Sequence, residues 1–186
     1  GSGVYENSLY SMIAGTWNVN SGIEENIVHC DSNTKCSLFA DGSNYIYVES
    51  SATSAVNLEW FIDNMITGIR NADVDKGNLY KIIDEGVEKV KPEQSNIIYL
   101  PFVHDSYLAE GINAGFSGIR AEHNVFHMLR AVFEGVAFAH RLHIDNLQKG
   151  GISRDRAVLS GGASNSDVWC QIFADVLNIE VITTES

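Results

Sequence analysis

Apolar and polar positions change period several times along this chain, and each change marks an element. Ser11 to Asn20 (SMIAGTWNVN) reads as a strand interrupted at Gly15-Thr16. Asn26–Cys30 and Cys36–Ala40 are short apolar runs separated by the turn residues Asp31-Ser32-Asn33, the pattern of a hairpin. Asn44–Glu49 (NYIYVE) reads as a strand. From Ser50 the period becomes helical, with Ala55, Leu58, Phe61, Ile62, Met65, Ile66 and Ile69 on one face. A second helix is predicted over Asn78–Lys89, with Leu79, Ile82, Ile83 and Val87 inward, before Pro92 breaks the chain. Asn96–Leu100 is a wholly apolar strand stopped by Pro101, and Phe102–Ser117 reads as a loop. A long helix is expected from about Ala121 to Asn146, burying Val125, Leu129, Val132, Phe133, Val136 and Leu142.

The last unit is the most informative. Ala157–Ser160 is a short strand ended by Gly161-Gly162. A helix follows, with Val168, Trp169, Ile172, Phe173, Val176 and Leu177 on one face, and Val181-Ile182 forms a final strand. Ser164 or Ser166 can cap that helix. Glycines admit a ligand close to the backbone, and a helix start offers free N–H groups and a positive dipole end, which suits a nucleotide. The order is antiparallel strands first, then alternating helices and strands. It predicts an α/β fold with a mixed sheet flanked by helices, in one domain.

Composition and charge narrow the partners. The chain has 186 residues, 45% of them hydrophobic, which is enough for a substantial core. The net charge of −12 argues against a basic groove for nucleic acid and against a polybasic membrane patch. No apolar run approaches the ~20 residues of a membrane span. Cys30, Cys36 and Cys170 lack CxxC spacing, and reduced thiols in a cytoplasmic protein are the expectation.

Most other chemistries fail on spacing. His123 and His127 lie four apart, but a zinc-protease helix needs Glu where Asn124 stands. His140 and His143 lack a third ligand. Gly115-Phe116-Ser117-Gly118 has the wrong spacing for a nucleophile elbow. Neither a P-loop nor a G-x-G-x-x-G strand turn is present. Trp17, Trp60 and Trp169 read as core or near-cleft packing.

Four segments, in order, carry a resemblance. AGFSGIRAEHNVFHMLRAVFE (Ala114–Glu134) resembles the C-terminal signature of the FGGY carbohydrate kinases. GGASNSDVWCQIFADVLNIEV (Gly161–Val181) is similar to that family's adenosine-binding turn and helix, AGTW (Ala14–Trp17) to its second phosphate-binding turn, and SSATSAVNLEWF (Ser50–Phe61) to its strand-to-helix segment. The resemblance implies an actin-like, ribonuclease H-like ATPase domain, the ATP-binding half of a sugar kinase. It also implies that the N-terminal sugar-binding domain is absent from this chain. The family's catalytic Asp lies just upstream of the stretch that Gly1-Ser2-Gly3 resembles, and no Asp here matches it.

The implied cofactors are ATP and Mg²⁺. The implied ATP-binding residues are Gly15 and Thr16 at the β- or γ-phosphate, with Gly161, Gly162 and Ala163 against the adenosine and α-phosphate. Ser166 stands where the family often has Asn, and Asn165 is the neighbour able to take its role. Ala55 and Glu59 match helix positions that border the nucleotide as Gly and Gln in glycerol kinases. The wider expectation is a kinase acting on a ketose such as L-xylulose, with this chain inactive alone. A noncatalytic actin-like ATP-binding or assembly module is the alternative, and pairing of two copies through the uncovered cleft face is expected of an isolated half.

Overall fold

In the computed structural model, residues 7–30, 33–67 and 75–183 are described. Eight strands and four α-helices are built from them. The strands are β1 (Tyr10–Ala14), β2 (Asn18–Glu24), β3 (Lys35–Leu38), β4 (Tyr45–Ser51), β5 (Ile98–Leu100), β6 (Gly115–Ser117), β7 (Arg156–Ser160) and β8 (Glu180–Thr183). The helices are α1 (Val56–Phe61), α2 (Lys76–Lys89), α3 (Val125–Lys149) and α4 (Asp167–Leu177).

Six strands form one mixed sheet in the order β3-β4-β2-β1-β7-β8. The β3, β4, β2 and β1 neighbours pair antiparallel, while β7 runs parallel to both β1 and β8. The C-terminal ends of β1 and β7 therefore lie side by side. A separate two-stranded ribbon pairs β5 with β6.

Alternation decides the two faces of the sheet. Tyr10, Met12, Ala14, Tyr47, Ala157 and Leu159 point to one face and join the helices in a single core. Ile13, Val19, Ile46, Val48 and Ile182 point to the other and are half-buried. Helix α3 lies across the inner face and supplies most of the core's apolar side chains, among them Leu129, Val132, Phe133, Val136, Ile144 and Leu147.

A buried polar seam joins α3 to the middle of the sheet. His140 bonds Asn20 Oδ1 through Nδ1 (2.8 Å) and Ser54 Oγ through Nε2 (2.9 Å). Tyr99 donates to Asn57 Oδ1 (2.9 Å), and Asn57 donates to Thr53 (2.8 Å), whose hydroxyl is bonded to the Pro101 carbonyl. Burial drives the Tyr99 hydroxyl up to about 12. Burial, with the neighbouring His143, holds His140 well below its ordinary pKa.

Several expectations change. The interrupted strand Ser11–Asn20 is two antiparallel strands, with Gly15-Thr16-Trp17 as the turn between them. The expected hairpin of Asn26–Cys30 with Cys36–Ala40 does not form: the first run is irregular, and β3 pairs with β4 instead. The turn residues Asp31 and Ser32 lie outside the described residues. Gly115–Ser117, read as loop, pairs with β5.

The helical face from Ser50 does not stay helical in the α sense. After Phe61 it widens into a π-helix over Ile62–Ile66, closed by the Thr67 N–H on the Ile62 carbonyl, and Met65 is exposed. Ile69 lies outside the described residues. On α2, Ile82 is exposed while Ile83, Gly86 and Val87 are buried. Helix α3 starts at Val125, which is exposed, because Asn124 caps it; the helix continues to Lys149. Trp169 is core, whereas Trp17 and Trp60 are exposed.

Candidate nucleotide site

Three chain segments meet at the C-terminal edge of β1 and β7. The first is the Gly15-Thr16-Trp17 turn, where Thr16 and Trp17 are exposed. The second is the start of α1: the Val56 N–H donates to the Gly15 carbonyl at 3.3 Å. The third is the turn after β7. Gly161 there has φ of 94°, and a Cβ on it would come within 2.7 Å of the Ala14 carbonyl oxygen. Only glycine satisfies both that backbone conformation and that approach. This close packing seats the Gly161 turn directly against the Gly15 turn.

Gly162–Asn165 forms a single 3₁₀ turn leading into α4. Ser166 caps α4 by accepting the Trp169 N–H at 3.2 Å. Its hydroxyl donates to Asp84 Oδ1 of α2 at 2.8 Å. Ala163 is fully buried; its side chain sits in the core beneath the turn and its carbonyl accepts the Ser166 N–H.

Beside this edge is a pocket of about 310 Å³. Of the residues expected from sequence, Ala55, Glu59, Gly162, Asn165 and Ser166 line it. Leu58, Tyr80, Asp84, Phe133 and Trp169 complete it. Gly15, Thr16 and Gly161 adjoin it rather than line it. One wall is aromatic. Trp169 stacks on Phe133 with ring centroids 4.1 Å apart and donates its indole N–H to the Phe133 carbonyl at 3.0 Å. The volume falls at the small end of the range for ligand sites.

The electrostatics are asymmetric. Two carboxylates, Glu59 and Asp84, stand at the pocket, and neither is in an ion pair among the described residues. Burial raises the Asp84 carboxyl, the Ser166 hydrogen bond holds part of that rise back, and Asp167 adds to it. The adjoining glycine turns instead present backbone to solvent. An elongated ligand with an anionic end would therefore place that end at Gly15-Thr16 and Gly161-Gly162, and its uncharged end in the pocket.

Asp84 and Tyr80 were not singled out in the sequence. Phe133 reads as core on α3, which it also is. Asp84 has no local signal: it is one acidic residue on a helix with several, and only the docking of α2 beside α4 turns it toward Ser166.

Two other groupings carry no open site. Ser51, His143 and Glu49 form a serine–histidine–acid line, with His143 3.0 Å from both partners. All three are at most 5% exposed, so no substrate reaches the serine. Burial alone would raise the Glu49 carboxyl, but hydrogen bonds from His143, Thr34 and Asn146 outweigh it and hold the pKa low. His123 and His127 stack with centroids 5.2 Å apart, and His127 belongs to the α3 capping box with Asn124. Among the described residues no group of three or more His, Cys, Asp or Glu is placed to hold a metal ion, and no helix is long and apolar enough to cross a membrane.

Residues 10–186 match the model of the FGGY family of carbohydrate kinases, C-terminal domain. This chain belongs to that family. The FGGY domain is 32% identical over 170 residues to a probable L-xylulose kinase of Haemophilus influenzae, covering 89% of this chain and 32% of the relative. It is 27% identical over 182 residues to the L-xylulose/3-keto-L-gulonate kinase of Escherichia coli, covering 97% of this chain and 34% of the relative. The chain thus spans about a third of the length of the curated relatives it matches.

Among solved structures, xylulose kinase from Rhodospirillum rubrum superposes with a TM-score of 0.86 at 20% identity, over 98% of this chain and 36% of that one. Plasmodium falciparum glycerol kinase with ADP superposes at 0.80 and 17% identity, over all of this chain and 37% of that one. The fold is the actin-like ATPase fold of the FGGY sugar kinases, with its mixed sheet and flanking helices.

Proposed function

We propose that this FGGY domain is the ATP-binding part of a sugar kinase, one that transfers the γ-phosphoryl of ATP to a hydroxyl of a ketose such as L-xylulose. The observation that carries the reading is the convergence of Gly15-Thr16, the start of α1 and Gly161-Gly162 beside an apolar pocket. L-xylulose as the sugar is supported by the similarity to a probable L-xylulose kinase and an L-xylulose/3-keto-L-gulonate kinase.

In this reading Thr16 offers its hydroxyl and N–H to the β- or γ-phosphate, and the turn after Gly161 faces the α-phosphate. Ala55, Asn165 and Ser166 border the adenosine, and Glu59 accepts from an amine or a ribose hydroxyl. Ala163 packs beneath the turn and acts through its backbone. Phosphoryl transfer asks the protein mainly for positioning and charge stabilisation, which suits a site made of turns.

Mg²⁺ would arrive with the nucleotide. Among the described residues the donor set contains no carboxylate cage, and Mg²⁺ characteristically binds substrate phosphates and water with few protein ligands. When bound it would neutralise phosphate charge. The chain's own residues hold and orient the phosphates.

The sugar site and the general base belong to a second domain outside this chain. Closure of the two would exclude water, which otherwise competes with the sugar as acceptor. A cytoplasmic location is the reading that an ATP requirement and free cysteines support. Half a cleft provides half the contacts, so millimolar affinity is expected of this chain alone, about −4 kcal/mol.

The test is an NMR titration with Mg–ATP of the chain, Thr16→Ala and Gly162→Val. A Cβ at 162 meets nothing within 4 Å, so the fold tolerates the valine while the pocket mouth does not. Shifts clustered at Gly15-Thr16 and Gly161–Ser166, and lost in both variants, support the site. Shifts elsewhere, or shifts unchanged in the variants, refute it. Sugar-dependent ADP release by this chain alone would refute the placement of the base in another domain.

A further inference from the structure

We infer that Asp84 reads the nucleobase: its carboxylate accepts the exocyclic amine of adenine, so the pocket selects a 6-amino purine over a 6-oxo purine. The inference rests on the nucleotide reading above and assigns the specificity of that site to a residue of α2.

Direction comes first. The exposed glycine turns carry no charge, whereas the pocket beside them holds two carboxylates, so phosphates are repelled from the pocket and the base enters it. The region beyond Asp84 reinforces this. The adjoining groove is lined by Glu85, Glu88 and Asp167 as well as Asp84, with Lys81 as its one lysine. No phosphate would settle there.

Recognition comes second. A base enclosed by Leu58, Tyr80, Phe133 and Trp169 must satisfy its polar edge on whatever polar groups the pocket offers. Ser166 is committed twice: it accepts the Trp169 N–H and donates its proton to Asp84 Oδ1. It has no hydrogen left for a base. Asp84 Oδ2 has no partner among the described residues and can only accept. Adenine presents an N–H₂ there. At that position a 6-oxo purine presents its carbonyl oxygen to a carboxylate, two acceptors with no hydrogen to share.

Ser166 is therefore a positioning residue. Its hydroxyl pins one oxygen of Asp84, a residue that lines the pocket, and leaves the other without a partner among the described residues. Where the family often has an Asn side chain, this chain has a shorter serine that hands the task to a carboxylate on the neighbouring helix. Glu59 is the rival acceptor, but it is exposed on α1, where water competes with any base it meets.

The test is competition between ATP, ITP and purine riboside triphosphate, titrated by NMR against the chain, Asp84→Asn, Glu59→Gln and Ser166→Ala. ITP carries the 6-oxo group; purine riboside triphosphate merely lacks the amine. The wild-type chain is expected to prefer ATP to ITP by at least roughly tenfold, the factor a hydrogen bond to a charged acceptor supplies. The purine nucleotide should fall between. Asp84→Asn offers both a donor and an acceptor, and should bring ITP within about threefold of ATP while phosphate-contact shifts at Thr16 persist. Ser166→Ala, which releases the pinned Asp84 carboxylate, should lose part of the preference while Thr16 shifts persist.

Equal binding of ATP and ITP by the wild-type chain overturns the assignment. So does a preference that survives Asp84→Asn, or one that collapses in Glu59→Gln instead. If no triphosphate shifts Thr16 or Gly162 at millimolar concentration, the nucleotide reading itself fails and takes this inference with it. A changed ATP-to-ITP ratio is a readout that loss of fold would not produce, since unfolding weakens all three ligands together.

Discussion

Single residues at the edge of β1 and β7 are under backbone constraints that no side chain relieves. Gly161 combines a positive φ with a 2.7 Å approach to the Ala14 carbonyl. Gly161→Ala should therefore cost about 1–3 kcal/mol of stability, read from urea unfolding. Gly162, a position later, has open space and ordinary φ, so its valine variant should unfold within about 0.5 kcal/mol of the parent while losing nucleotide binding. If both variants were equally unstable, the division of labour between the two glycines would be wrong. The pair looks alike in sequence. What separates them is a neighbour nearly 150 residues away in the chain.

The elements are set by caps as much as by apolar faces. Asn124 Oδ1 accepts the N–H groups of Phe126 and His127 and stops α3 from extending back into the Arg120–His123 turn. Asn124→Ala should destabilise by about 1 kcal/mol, and Asn124→Asp should restore most of it; a calorimetric comparison of the three decides. The sequence pattern located α2, α3 and α4 because each has a long apolar stripe with a helical period. It failed on short strands. Asn26–Cys30 and Gly115–Ser117 are a few residues long, and whether such runs pair depends on what lies beside them. The π-helix after Phe61 was illegible for a related reason: the same stripe satisfies either helix until packing selects one.

Across the whole molecule, charge and buried histidine govern the response to solution conditions. His140 is wholly buried with its folded pKa depressed, while the unfolded imidazole titrates near ~6.5. Above that value its neutral form contributes fully to stability. As pH falls below it, the unfolded chain takes up a proton that the folded chain refuses, so stability drops. Glu49, with a lowered folded pKa, adds a second loss at still lower pH, as its folded carboxylate is forced to protonate. The unfolding free energy from urea titrations should decline from about pH 6.5 to 5 with a slope approaching about 1.4 kcal/mol per pH unit for one proton, and His140→Gln should flatten it. An unchanged slope in that variant would assign the effect elsewhere. Net charge makes a separate statement. A nucleotide anion approaching a chain of −12 is repelled at long range, so added salt should leave ATP affinity unchanged or improve it. A steep loss with salt, in parallel titrations at low and high ionic strength, would reveal a cationic phosphate site that the present geometry lacks.

The sequence by itself determined the layered α/β class, the helices and the glycine turns that flank the site, because these depend on period and on local backbone freedom. The resemblance also named Ala55 and Glu59 in one motif and Gly162, Asn165 and Ser166 in another, about a hundred residues on, and the fold brings the two groups to one pocket. Tertiary structure alone decided that β1 lies parallel to β7, which brings Gly15 against Gly161. It decided that His140 and His143 meet Asn20, Ser54, Glu49 and Ser51 across more than eighty residues of chain. And it decided that Asp84, one carboxylate among twenty-four acidic residues, stands beside Ser166 at the pocket. Strand order and helix docking are set by the burial of many distant side chains at once, and no local pattern carries that sum.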